Sequence, residues 1–162
     1  MLEAATTKAK EVLAIYGRNS LNYMILISDI CRTENIIIDI HPMRNSYFSG
    51  MLWKQGDQYF ILCNSRLAPT RKLFTIAHEI GHYFLHRTLQ QSFTCQTIFG
   101  QSSDIRERQA NFFAAELLMP EKIMIKYIEN NVSPKRIAKD LGVSEEAIKY
   151  RVKQLTTQDL FN

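Results

Sequence analysis

Cysteine, glycine and proline are scarce in this chain, and each shortage excludes something. Cys31, Cys63 and Cys95 are odd in number, widely spaced and never in Cys-x-x-Cys form. That argues against a disulfide framework and reads as the reduced thiols of a cytoplasmic protein. The four prolines and six glycines are scattered, so no linker rich in Gly, Ser or Pro separates the segments, and no repeat or low-complexity stretch appears. Long apolar runs are missing too. The longest early run, Tyr23 to Ile27, stops at Ser28 and Asp29, far short of the roughly 20 apolar residues of a membrane span. The N-terminus, with Glu3, Lys8, Lys10 and Glu11, lacks the basic-then-apolar order of a secretory signal. Charge of one sign is also weak. The formal net charge is +4 with the basic residues spread out, too little to argue nucleic-acid binding.

What is present is 162 residues, 46% hydrophobic and 22% charged, enough to bury a substantial core and carry a small appendage. The most informative stretch is Phe74-Thr75-Ile76-Ala77-His78-Glu79-Ile80-Gly81-His82. On a helix, His78 and His82 lie on one face about one turn apart, so both imidazoles can reach a single divalent ion. Glu79 points in a neighbouring direction, where it can hold a water molecule and accept its proton. Leu73, Ile76, Ala77, Ile80 and Phe84 recur at helical spacing and supply the face that buries this helix. Gly81 costs roughly 1 kcal/mol against Ala in a helix interior, so something is expected to approach the backbone there.

Two imidazoles leave an ion under-coordinated, so a third protein ligand is required. The run from Asp104 to Pro120 reads as a second helix with an acidic start and a proline stop. Glu107, Asn111, Ala114 and Leu118 share one of its faces. Glu107 is the best third ligand, and Asn111, one turn on, can orient an imidazole or the carboxylate. Small Ala110, Ala114 and Ala115 allow close packing against the His helix. Glu116 is the competing carboxylate, with a solvated or capping role as its ordinary reading. His86 lies about 12 Å along the axis from His78, so those two cannot share an ion; it fits the helix C-terminus, where positive charge is favoured. A nitrogen-and-carboxylate donor set points to Zn2+, with Mn2+ or Fe2+ also compatible.

The stretches Arg71 to His86 and Ala110 to Pro120 together resemble the ImmA/IrrE family of bacterial and phage metallo-endopeptidases. The resemblance covers about Ser20 to Pro120 well and the tail more loosely. It implies a zincin-like fold, with His78, His82 and Glu107 as metal ligands and Glu79 as general base. It also implies a substrate type, since family members typically cleave helix-turn-helix repressors and so derepress mobile elements or stress genes. Ile80 stands where Leu is usual, and Gln109 replaces an acidic residue.

Elsewhere, Thr6 to Tyr16 reads as a helix ended by Gly17, and another helix is expected from near Ser20. Ile36 to Ile40 reads as a strand, with His41 beside Pro42 as a loop residue. Gly50 to Lys54 and Gln58 to Cys63 form a hairpin leading into the His helix, and an edge strand there would suit an extended substrate. Arg87 to Ser103 is long for a connection, permits a short strand around Phe93 to Thr97, and suits a lid or specificity loop. Tyr83, Tyr59 and His86 are the nameable oxyanion donors. After the helix Glu121 to Asn130, the segment Ser133 to Val152 has a helix-turn-helix look, with Ser133 and Ser144 as N-caps and Gly142 at the turn. Glu145 and Glu146 begin its second helix and would repel phosphate, while Lys149, Arg151 and Lys153 fit backbone contact at best. A packing or repressor-docking role is favoured over DNA reading.

These readings give an α+β protein: a zincin-like metallopeptidase core over residues 1–130, mostly helical with a small antiparallel or mixed sheet, and a small helix-turn-helix-like tail over 131–162. The expected function is cleavage of a helix-turn-helix repressor of a prophage or mobile element, with Glu79 assisting attack of water on a peptide bond. The alternative is a non-catalytic, metal-stabilised regulator that binds a repressor, or a toxin or stress component.

Overall fold

The computed structural model describes residues 2–17, 23–44, 47–88, 92–95 and 104–158. The element order is α1 (Leu2–Tyr16), α2 (Tyr23–Thr33), β1 (Ile36–His41), β2 (Gly50–Gln55), β3 (Gln58–Asn64), α3 (Pro69–His86), β4 (Ser92–Cys95), α4 (Ile105–Leu118), α5 (Glu121–Glu129), α6 (Pro134–Leu141) and α7 (Glu145–Gln158). The class is α+β, mostly helical with a small mixed sheet. The strand order is β1-β3-β2-β4, with β1 parallel to β3 and the other two pairings antiparallel. The hairpin turns at Gly56, whose φ of +60° suits a residue without Cβ. Helix α1 begins four residues before the expected Thr6, because Ala4 and Ala5 favour helix and Ala5 is buried. The start expected near Ser20 lies outside the described residues, as does most of the Arg87–Ser103 connection and the Cys95 side chain. Cys31 and Cys63 are free and buried.

The sheet has one core face. Alternation along the strands turns Leu52, Ile61 and Cys63 inward, where they join Ile76, Ala77 and Ile80 of α3 in one core. Asn64 pins the connection from β1 to β2. Its Oδ1 accepts from the Met43 N–H at 3.2 Å and the Arg66 N–H at 3.1 Å, and its Nδ2 donates to the Phe48 carbonyl at 2.9 Å. Below the sheet, α3 runs alongside α4, whose other flank is covered by α1. Ala110, Ala114 and Ala115 are all buried, and their small side chains let the two site helices approach closely.

The tail joins the same core. Ser133 caps α6 by accepting from the Arg136 N–H, Gly142 ends it at φ +66°, and Ser144 Oγ accepts from the Ala147 N–H at 3.1 Å. Ile137, Leu141, Val143, Ile148 and Leu155 pack into the cluster that contains α3 and α4. Arg151 departs from its sequence reading. It is 2% exposed, donates through Nη2 to Glu116, also 2% exposed, and through Nε to the Met119 carbonyl at 3.1 Å. Glu116, the competing carboxylate, is therefore neither solvated nor near the His pair; its other oxygen accepts from the Glu121 N–H at 3.2 Å. Burial raises the Glu116 pKa against the opposing pull of Arg151. The pair thus fixes where α7 docks more than it adds stability.

This arrangement sets up a test. Arg151→Met leaves Glu116 buried without its cation and should cost about 3–5 kcal/mol. Adding Glu116→Gln should recover most of that loss, since the amide oxygen still accepts from Glu121. Urea unfolding of the two variants measures both, and equal losses would contradict the pairing argument.

Candidate metal centre

Helix α3 places His78, Glu79 and His82 at the bottom of the sheet, and all three are fully buried. Helix α4 begins at Asp104, whose carboxylate accepts from the Arg106 N–H at 2.8 Å. That cap brings Glu107 into the first turn, facing the histidines. Glu107 Oε2 lies 3.2 Å from His78 Nε2, Glu107 Oε1 lies 3.0 Å from His82 Nε2, and the two Nε2 atoms are 3.1 Å apart. The third residue anticipated from the helix face is thus brought to the His pair. Among the described residues these three are the group whose donor atoms converge as a metal site requires.

Hydrogen-bond partners surround the triangle. His78 Nδ1 lies 2.9 Å from Asn111 Oδ1; with its proton on Nδ1, the ring keeps the Nε2 lone pair for a cation. His82 Nδ1 lies 3.0 Å from His86 Nδ1, and His86 Nε2 lies 3.0 Å from Gln109 Oε1. Burial holds the His82 imidazole down to about 4, with Glu107 opposing and the neighbouring imidazoles assisting. Burial alone would raise Glu107, but its bonds to His78 and His82 prevail and hold it well below the usual carboxylate range. Two imidazoles and a carboxylate thus bring three side chains of metal-ligating type within 3.2 Å of one another. Donors about 2.0–2.1 Å from a tetrahedral ion sit about 3.3 Å apart, close to the spacing observed. The residues fit a divalent cation.

Glu79 sits beside the triangle. Both of its oxygens are buried without a hydrogen bond of ordinary geometry, although the Leu52 N–H is near enough to favour the charged form. Its pKa is raised well above the usual value by burial first and by the Glu107 charge second. Strand β2 reaches this carboxylate only because position 50 is glycine. A Cβ there would lie 2.6 Å from Thr75 Cγ2 and 3.3 Å from Glu79 Oε1. Sequence reading missed that role, since nothing near Gly50 in the chain marks it.

The other candidates fall elsewhere. Tyr83 OH donates to Glu34 Oε2 at 2.8 Å, behind α3, and Tyr59 packs edge-on against the Tyr83 ring. His41 pairs with Asp39 at 2.8 Å on the exposed end of β1. His86 engages both ring nitrogens. The i+4 step from His82 was its only signal in the sequence.

Comparison with known proteins gives the family. Residues 31–153 match the peptidase family model described as the IrrE N-terminal-like domain. The chain belongs to the ImmA/IrrE family, and its class is that of a metallopeptidase. Metallopeptidase ImmA of Bacillus subtilis (strain 168) is 30% identical over 155 residues, 91% of this chain and 83% of that protein. An uncharacterized immunity region protein 2 of Bacillus phage phi105 is 35% identical over 88 residues, 54% of each chain. Among the described residues no helix is long and apolar enough to cross a membrane.

Gly81 closes the helix pair. A Cβ there would lie 3.2 Å from the Ala110 Cα, the Ala110 carbonyl oxygen and Phe113 Cδ1. Ala at this position gains helix propensity of about 1 kcal/mol, but overpacking against backbone that cannot rotate away costs roughly 1–3 kcal/mol. Gly81→Ala should therefore be destabilising, by up to about 2 kcal/mol. A urea midpoint at or above wild type would show that the helices have room to separate.

Proposed function

We propose that this chain is a cytoplasmic endopeptidase with a zincin-like core, in which His78, His82 and Glu107 hold a divalent cation and Glu79 is the general base. The observation that carries the reading is a donor triangle of two buried imidazoles and the partly buried Glu107, beside the buried Glu79 carboxylate, whose oxygens have no hydrogen bond of ordinary geometry. Two imidazoles and a carboxylate suit zinc, and manganese or iron share these donors. When bound, the ion supplies Lewis acidity, lowering the pKa of a water molecule and polarising the peptide carbonyl. Glu79 takes a proton from the attacking water. It delivers that proton to the leaving nitrogen as the C–N bond breaks, so the peptide ends as a carboxylate and an amine. The rigid α3–α4 contact keeps base and ligands at fixed separation.

The substrate we assign is a helix-turn-helix repressor of a prophage or mobile element. The metallopeptidase relative and the phage immunity-region relative support that assignment. We read residues 1–130 as the peptidase domain and 131–162 as a tail docked on it. Glu145 and Glu146 stand exposed at the start of α7, Lys149 lies 3.6 Å from Glu145, and Arg151 is buried. That surface is unsuited to phosphate, which favours packing or repressor docking over DNA reading.

The test is incubation of the purified protein with the repressor encoded beside its gene, read by intact mass. Wild type should produce two fragments. Glu79→Gln should slow cleavage by about 10²–10⁴-fold while keeping its metal. Equal cleavage by both proteins would remove Glu79 from the mechanism, and tight repressor binding without fragments would favour a binding regulator.

A further inference from the structure

Beyond the ligands, one hydrogen-bond chain runs outward from the metal centre. His82 Nδ1 lies 3.0 Å from His86 Nδ1, and His86 Nε2 lies 3.0 Å from Gln109 Oε1. His82 is fully buried and His86 is 3% exposed. The chain returns to α4 two residues beyond Glu107, so it links the two helices that carry the donors.

Its direction is fixed by chemistry. An imidazole nitrogen accepts a cation only through a lone pair, so His82 must carry its proton on Nδ1. That proton needs an acceptor, and His86 Nδ1 lies 3.0 Å away. His86 is then protonated on Nε2, and that N–H in turn donates to Gln109 Oε1. With the Gln109 amide turned over, its NH2 would donate to His86 Nε2 and every step would reverse. The proton on His82 would then sit on Nε2, facing His78 Nε2 and the place of the cation. Gln109, two hydrogen bonds from His82 by this route, thus bears on which face of His82 is basic.

We propose that Gln109 and His86 act in series as positioning residues that set the tautomer and ring orientation of His82. The proposal rests on the metallopeptidase reading above. It gives His86 a role other than ligand, helix-end cation or oxyanion donor. His78 needs no such relay, because Asn111 accepts from it directly. Partners of this kind that support a ligand commonly contribute 10–100-fold in metal affinity.

The test uses the apo form of the full chain. Zinc is titrated in competition with a chromophoric chelator, and cobalt(II) is followed by its visible d–d bands. Wild type, His86→Phe, Gln109→Leu, the double variant and Gln109→Glu are compared, with circular dichroism recording the fold. His86→Phe and Gln109→Leu should each weaken zinc binding by about 10- to 100-fold and shift the cobalt bands. The double variant should be no weaker than His86→Phe alone, since a chain broken once is broken. Gln109→Glu can only accept, so it should bind zinc at least as tightly as wild type. That near-isosteric variant keeps the idea falsifiable if the apolar ones fold poorly.

Wild-type affinity and an unchanged cobalt spectrum in His86→Phe and Gln109→Leu would overturn the proposal. So would losses that multiply in the double variant, or weaker binding by Gln109→Glu. Absence of zinc binding by wild type is a separate result that would sink the metal reading itself.

Discussion

The rest of this structure depends on holding two buried imidazoles and a partly buried carboxylate against one another. His78 Nε2, His82 Nε2 and Glu107 lie 3.0–3.2 Å apart, with the imidazoles fully buried. Such atoms repel and lose hydration, so the surrounding fold must impose the arrangement. The device is the contact of α3 with α4. Gly81 removes the side chain that would push α4 away, and Ala110 offers only backbone and a methyl group. The sheet enters from the other side on the same terms, with Gly50 admitting β2 beside Glu79. Two absent side chains thus determine where the ligands and the base meet.

Polar partners around the donors complete the site. Asn111 and the His86–Gln109 pair stand against the two Nδ1 atoms, placed to accept their protons when the Nε2 atoms hold a cation. Each of these partners sits on α3 or α4, so the elements that bring the donors together also orient them. The Arg151–Glu116 pair extends this economy to the tail, fastening α7 to the C-terminal end of the same α4.

Much of this was legible in the sequence because the signals were local. The i, i+4 histidines, the acidic start of the Asp104–Pro120 helix, the caps at Ser133 and Ser144, the glycine turn at 142 and the cost of Gly81 each follow from a few adjacent residues. Glu107 could be chosen because helical spacing aligns it with Asn111. The rest was illegible because it is decided by partners distant in the chain. Arg151 looks like any solvated cation until Glu116 is found beneath it. His86 follows the helix-end rule until Gln109 is placed opposite. Gly50 has no meaning until Thr75 and Glu79 are packed above it.

The central claim is that the two imidazoles of His78 and His82 and the carboxylate of Glu107 bind the ion. Zinc K-edge X-ray absorption on the purified full-length protein tests it most directly. The account predicts a single zinc per chain, bound by two imidazoles and light oxygen donors. Sulfur scattering, a third imidazole or the absence of stoichiometric metal would contradict it.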